Sequence, residues 1–171
     1  MRSATQTVDI AAPAAAVFAH VDDMKNIGGH MTDRSSMAMM GSKLTLEIVS
    51  PRATGVGATY RYHGTMMGLR LDFSESVTRY VPGREKTWRT IGEPRLLILG
   101  GYEMRVLVEP RPPSSSRLTI SITYDLPRAP GWRLVAMLVA GWYSRWCVGR
   151  MCSDAQKALE RVRSPAASVG G

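Results

Sequence analysis

Leu69, Leu71, Phe73, Glu75 and Val77 alternate with Arg70, Asp72, Ser74, Ser76 and Thr78, a period of two that puts the first set on one face of a long strand. Leu118, Ile120, Ile122 and Tyr124 repeat the pattern against Thr119, Ser121 and Thr123. Leu44, Leu46 and Ile48 do so against Thr45 and Glu47, and Tyr60 and Tyr62 against Arg61 and His63. Strands patterned in this way build an antiparallel sheet with one apolar face, and that face must be covered. Only one stretch is long enough to cover it, a helical run over residues 131–163 that follows Pro127 and Pro130.

The remaining elements fit around this pair. Residues 4–10 read as a first strand. Pro13 stands where a helix begins, and residues 14–21 propagate it. Asp22 and Asp23 can cap a second short helix over residues 24–26, which Gly28 and Gly29 end. Residues 31–41, with Met31, Met37, Met39 and Met40, have no periodicity and read as a loop. Residues 51–57 carry turn chemistry, and Pro82-Gly83 makes a hairpin turn. Residues 85–91, containing Trp88, form the next strand; residues 96–108 form another, bent at Gly100-Gly101; residues 110–116 are a loop. The expected order is one strand, two short helices, six antiparallel strands and one long helix. A curved seven-stranded antiparallel sheet gripping that helix around an apolar cavity is the α+β helix-grip fold.

A chain of 171 residues, 44% hydrophobic and 21% charged, fits one domain over residues 1–163, with the small-residue tail at 164–171 left to fray. Cys147 and Cys152 stand five apart, about 140° around a helix, so they do not bridge each other. Free thiols fit a reducing compartment. The alanine-rich run over residues 11–19 lacks the charge and hydrophobicity of a signal peptide. The apolar run over residues 134–144 would span about 16 Å of helix, roughly half of a bilayer's hydrocarbon core. A cytoplasmic protein is the expectation.

The net charge is +8, from 22 basic and 14 acidic side chains, and it is unevenly spread. Residues 111–171 hold 9 basic groups against 3 acidic ones, so most of the excess lies in the C-terminal third. Arginines scattered singly along strands, with no basic-aromatic cluster on one face, speak against a nucleic-acid partner. Weak peripheral contact with an anionic membrane surface is the one partnership this charge favours. Trp132, Trp142 and Trp146 are nevertheless expected to face the sheet, because the helix must bury something to hold the sheet closed. The all-round apolar stretch over residues 134–143 is also a candidate homodimer face.

Several pieces of local wording follow the same order of elements: Val8-Asp9-Ile10-Ala11-Ala12-Pro13, then Val17-Phe18 and Asp22; the strand-hairpin-strand over residues 71–88 with Tyr80-Val81-Pro82-Gly83; and Tyr143-Ser144-Arg145-Trp146-Cys147 in the last helix. Together they resemble the SRPBCC (START-like) superfamily, which includes START lipid-binding domains, aromatic polyketide cyclases and CoxG-like proteins. The similarity covers about residues 4–163 and is nearest to the bacterial polyketide cyclase/dehydrase group. It implies an apolar pocket, a small hydrophobic ligand and no obligatory cofactor. It carries no catalytic motif, so function rests on the site.

Glu75 is the most informative residue, since the apolar register around it points its carboxylate into the cavity. Burial there raises a carboxyl pKa toward the range of a general acid or base. The plainer alternatives are an ion pair with Arg105 or a place in water at the rim. His30, beside the Met-rich loop, is a candidate proton shuttle at the pocket mouth; His63 cannot share a face with Tyr62. Tyr102 and Trp88 can hydrogen-bond and stack on an oxygenated ring. Met31 and Met39 from the loop, Leu71, Phe73, Trp88, Met104 and Ile122 from strands, and Leu138, Trp142 and Trp146 from the helix are the expected ligand-binding residues. Three histidines without ligand-type spacing imply no metal site. There is neither a nucleophile-elbow serine nor a dinucleotide fingerprint.

Two classes of function follow. The first is a binding protein for a polyketide, lipid or quinone-like molecule. The alternative is a cofactor-independent cyclase, dehydratase or aldol-type enzyme that moves protons with Glu75, His30 or Tyr102.

Overall fold

A computed structural model of the chain describes residues 1–28, 43–66, 68–96, 98–127 and 130–163. The alternating stretches form β1 (Arg2–Ile10), β2 (Lys43–Ile48), β3 (Thr59–Met66), β4 (Leu69–Val81), β5 (Glu85–Arg95), β6 (Tyr102–Arg111) and β7 (Ser115–Tyr124). The helices are α1 (Ala14–Asp22), α2 (Met24–Ile27) and α3 (Pro130–Arg163). Pro13 precedes α1 in an extended conformation, and the Asp23 carboxylate caps α2 by accepting from the Lys25 backbone N–H at 2.9 Å. The strands form one antiparallel sheet in the order β1-β7-β6-β5-β4-β3-β2, with β1 laid beside β7 and the rest a continuous meander. This is the helix-grip arrangement that the pattern predicts.

Three boundaries differ from expectation, each for a local reason. β5 continues through Pro94 to Arg95, although the pattern suggests an end at Ile91. Its pairing with β6 stops at Arg89, so Pro94 removes no ladder bond on that side. Opposite β4, the two-residue step from Ser74 to Asp72 faces a four-residue step from Ile91 to Arg95, and Gly92 at φ +70° turns the backbone through this bulge. The segment before Tyr102, expected as strand, leaves the sheet instead. Gly100 N–H donates to the Asp125 carbonyl at 2.8 Å, and Asp125 N–H donates to Gly101 at 2.9 Å. Finally, the loop expected over residues 110–116 is shorter, because β6 and β7 pair out to Arg111 and Ser115.

The inner face of the sheet is a row of large buried side chains. Trp88, Met104 and Ile122 are successive register partners on β5, β6 and β7, with Val77 of β4 completing the row. α1 and α2 add Val17, Phe18, Met24 and Ile27 to the same core. α3 packs chiefly against β1 and β7. Its inward stripe begins with Ala136, Ala140 and Ser144, all fully buried, and continues through Cys147 and Met151. Small residues at a spacing of four let the helix backbone lie close to the sheet.

This stripe overturns the expectation that Leu138 and Trp142 line the cavity. Both project from the opposite side of α3, 80% and 65% exposed. The helix buries its small residues, not its bulky ones. Trp146 is partly buried against the core and stacks on Tyr143 with ring centroids 6.0 Å apart. Among the described residues no helix is long and apolar enough to cross a membrane.

A buried ion pair pins the short helices to the sheet. Lys86 of β5 is 0% exposed; its ammonium donates to the Asp22 carbonyl at 2.6 Å and lies 3.0 Å from the Asp22 carboxylate. Tyr80 donates its hydroxyl to the other Asp22 oxygen at 2.8 Å. The ammonium also stands 5.4 Å from the Tyr60 ring centroid and 5.8 Å from that of Trp88. A helix C-terminus lacks partners for its last carbonyls, and here a lysine supplies one. Asp22→Ala leaves that ammonium buried without its countercharge and is expected to cost about 3–5 kcal/mol. Leu138→Ala, on the outer side of α3, should change stability by no more than about 0.5 kcal/mol. Urea denaturation of both variants checks this; equal midpoints would mean that the pair is no clamp.

Candidate functional site

The alternation of β4 turns Leu71, Phe73, Glu75 and Val77 inward, and Glu75 is 1% exposed. The Tyr102 hydroxyl donates to Glu75 Oε1. Tyr102 is itself set by its backbone N–H, which donates to Thr90 Oγ1 at 3.1 Å. Glu75 Oε2 has no hydrogen bond of ordinary geometry among the described residues, although the Trp88 side chain is near enough to pull on the carboxylate. Burial pushes the Glu75 carboxyl up to about 7, against the opposing pull of Tyr102, Trp88 and Lys86. Neither plainer alternative for this residue holds. Arg105 is on the outer face, where its Nε donates to Glu85 Oε1 at 2.9 Å, because Met104 and Val106 take the inward positions of β6. The rim is excluded by the burial.

Tyr62 completes the polar part of the site. Its buried hydroxyl has no partner among the described residues, and its ring stacks on Phe73 with centroids 5.1 Å apart. Phe73 in turn meets Tyr102 edge-on at 6.3 Å. A Cβ on Gly28 would lie 2.8 Å from the Tyr62 hydroxyl, so the glycine that ends α2 is what admits this close approach. Burial raises the pKa of both Tyr62 and Tyr102, and both remain protonated donors at neutral pH. From α3, Cys147 lies within electrostatic reach of Glu75. Burial pushes that thiol up to about 12, which leaves it without nucleophilic character.

The structure therefore gathers Glu75, Tyr102, Phe73, Leu71, Trp88, Met104 and Ile122 on one buried face, with Trp146 at its margin. His30, Met31 and Met39 lie outside the described residues. Leu138 and Trp142 are turned away, as above. His63 also points outward, 4.0 Å from Glu47. Sequence reasoning missed Tyr62, Lys86 and Asp22. The available signal was register: Lys86 shares the inward row with Trp88, and Tyr62 the inward row with Tyr60. Chemically, the arrangement offers a carboxyl poised near neutrality and a phenol with a free valence, both set in an aromatic wall.

A family model described as polyketide cyclase / dehydrase and lipid transport matches residues 1–160. No curated protein sequence matches significantly. Among solved structures, the chain is similar to the Zhui aromatase/cyclase from a Streptomyces species, at 19% identity and TM-score 0.64, over 96% of this chain and 97% of that one. It is also similar to norcoclaurine synthase from Thalictrum flavum in complex with dopamine and hydroxybenzaldehyde, at 17% identity and TM-score 0.64, covering 95% and 88%. A Thermus thermophilus protein superposes at TM-score 0.67 and 15% identity, covering 95% and 100%. At these identities the shared property is the fold.

The perturbed carboxyl has a consequence for stability. The folded chain holds the Glu75 proton more tightly than the unfolded chain, so stability falls as pH rises from about 4.5 through about 7. Glu75→Gln keeps the shape and has no proton to lose. Relative to that variant, the wild type is expected to lose about 3 kcal/mol between the acid and alkaline ends of this window. Urea melts of both proteins across pH measure the difference; parallel curves would mean that Glu75 ionises freely.

Proposed function

Because this chain belongs to the polyketide cyclase/dehydrase and lipid transport family, we propose that it binds a small hydrophobic molecule with an oxygen-bearing end between the sheet's inner face and α3. The single observation behind this reading is that, of the four buried side-chain atoms without a hydrogen-bond partner among the described residues (Asp22 Oδ1, Tyr62 Oη, Glu75 Oε2 and Ser144 Oγ), Tyr62 Oη and Glu75 Oε2 stand on adjoining strands of the inner face. A buried polar group left unpaired is costly, and a ligand oxygen or hydroxyl would satisfy both. The aromatic wall of Phe73, Tyr62 and Trp88 suits the body of a polyketide, lipid or quinone-like molecule. That neither Cys147 nor Cys152 is in a disulfide supports a reducing, cytoplasmic setting.

A second reading, cyclisation or dehydration without a cofactor, is favoured by one specific observation. Glu75 sits at about 7, where it can take a proton from a substrate or return one at neutral pH. Tyr102, kept neutral, would hold the carboxylate in place as it does so. The wall would fold a flexible chain against the carboxyl, and positioning supplies the remainder of the acceleration.

Native mass spectrometry of the full chain purified without denaturation tests the binding reading. A retained small-molecule mass is expected in the wild type and lost in Cys147→Phe, which puts a larger side chain on the buried side of α3 within electrostatic reach of Glu75. Glu75→Gln should retain the molecule about tenfold more weakly. If no small molecule is retained and hydrophobic dyes do not bind, the reading is wrong. Turnover that survives Glu75→Gln, on any substrate so identified, would sink the enzymatic alternative.

A further inference from the structure

The outer side of α3 carries a feature that the ligand reading does not use. Leu134, Leu138 and Trp142 follow one another at a spacing of four and stand 61%, 80% and 65% exposed. Val135 and Val139 flank them. This apolar strip runs along the helix axis for about 12 Å, and exposed Arg133 and Arg145 bound it at its two ends. Between Asp125 and Asp154 the sequence has no carboxylate at all, while it has four arginines. At the start of the strip lies a cleft of about 330 Å³ whose lining includes Arg2, Arg133, Tyr124 and Asp125. Its lining holds two arginines and the Met1 amino group against one carboxylate, which that amino group approaches at 3.8 Å, and Arg2 is tied to α3 through the Met137 carbonyl at 3.4 Å.

We propose that this face docks on a bilayer containing anionic phospholipid. The helix would lie in the plane of the interface with Leu134, Leu138 and Trp142 at the boundary between headgroups and acyl chains. Arg133, Arg145 and the Arg2 cleft would meet lipid phosphates, which guanidinium groups bind in charge-assisted pairs. Tryptophan is at home in such a boundary, with an apolar body and a polar N–H. Charge decides between this occupant and a second copy of the chain. A symmetric contact through the strip would bring the arginines of both copies together with only Asp125, already 3.8 Å from the Met1 amino group, to meet them, whereas an anionic surface supplies the missing sign. The inference is separate from the pocket, which involves the opposite face of the same helix.

Flotation of the full chain with vesicles of phosphatidylcholine, alone or with about 30% phosphatidylserine, tests this at low and at high salt. Binding is expected only to the anionic vesicles, with a loss at high salt. Both Leu138→Glu and Arg145→Glu alter exposed positions and should keep the wild-type circular dichroism. Arg145→Glu should weaken binding about fivefold or more, and Leu138→Glu at least as much. Absence of flotation on anionic vesicles at low salt overturns the proposal, as does equal binding to neutral vesicles or unchanged binding by both variants. A dimer on size exclusion that Leu138→Glu dissociates, without vesicle binding, would assign the strip to a second copy instead.

Discussion

A single buried ammonium holds the interior in register. Lys86 is taken wholly out of water, which lowers its pKa, and it stays in place because Asp22 supplies a carbonyl and a carboxylate at one helix end. That contact brings α1 and α2 down on the sheet. Seating α2 places Gly28 against the Tyr62 hydroxyl, and with it one wall of the site. The same ammonium is near enough to Glu75 to pull its carboxyl down against the effect of burial. The side chain that seats the helices thus also adds to the pull of Tyr102 and Trp88 on Glu75, although burial outweighs all three.

Such a design is polar at its centre, which is unusual for a core this apolar. Tyr80, Asp22 and Lys86 form one group in which the ammonium stands 3.0 Å from the carboxylate, and Tyr102 and Glu75 a second in which Glu75 Oε2 meets no such charge at contact distance. In a low-dielectric interior, paired groups lend rigidity and unpaired ones cost free energy. The first group behaves as structure. The second keeps a free valence facing the aromatic wall, and the contrast between neighbours 11 residues apart on adjoining strands is what separates scaffold from site.

Much of the fold was legible because period-two patterning is local. Leu69 to Val77 announces both its strand and its buried face, and the inward position of Glu75 follows from that register alone. Partners across the sheet were not legible. Tyr102 reaches Glu75 across the intervening β5, and no local pattern encodes that meeting. Lys86 follows Glu85 and reads as an ordinary exposed lysine until its shared row with Trp88 is considered. In α3 the apolar residues surround the first turns, so periodicity could not choose a face, and bulk proved a poor guide. Ala136, Ala140 and Ser144, four apart, were the signal that did mark it.

The break in pairing between β5 and β6 gives the sheet a seam. Beyond Arg89 the two strands separate, and among the described residues the hold resumes through the Thr90 side chain on the Tyr102 backbone. Everything that fixes Glu75 lies on the closed side of that clip or in it. The residues just before Tyr102 are held instead from the far side, by Gly100 and Gly101 on Asp125 at the end of β7 and by Leu99 in the core, so the carboxyl and its phenol stay in place without a β5–β6 ladder beyond Arg89.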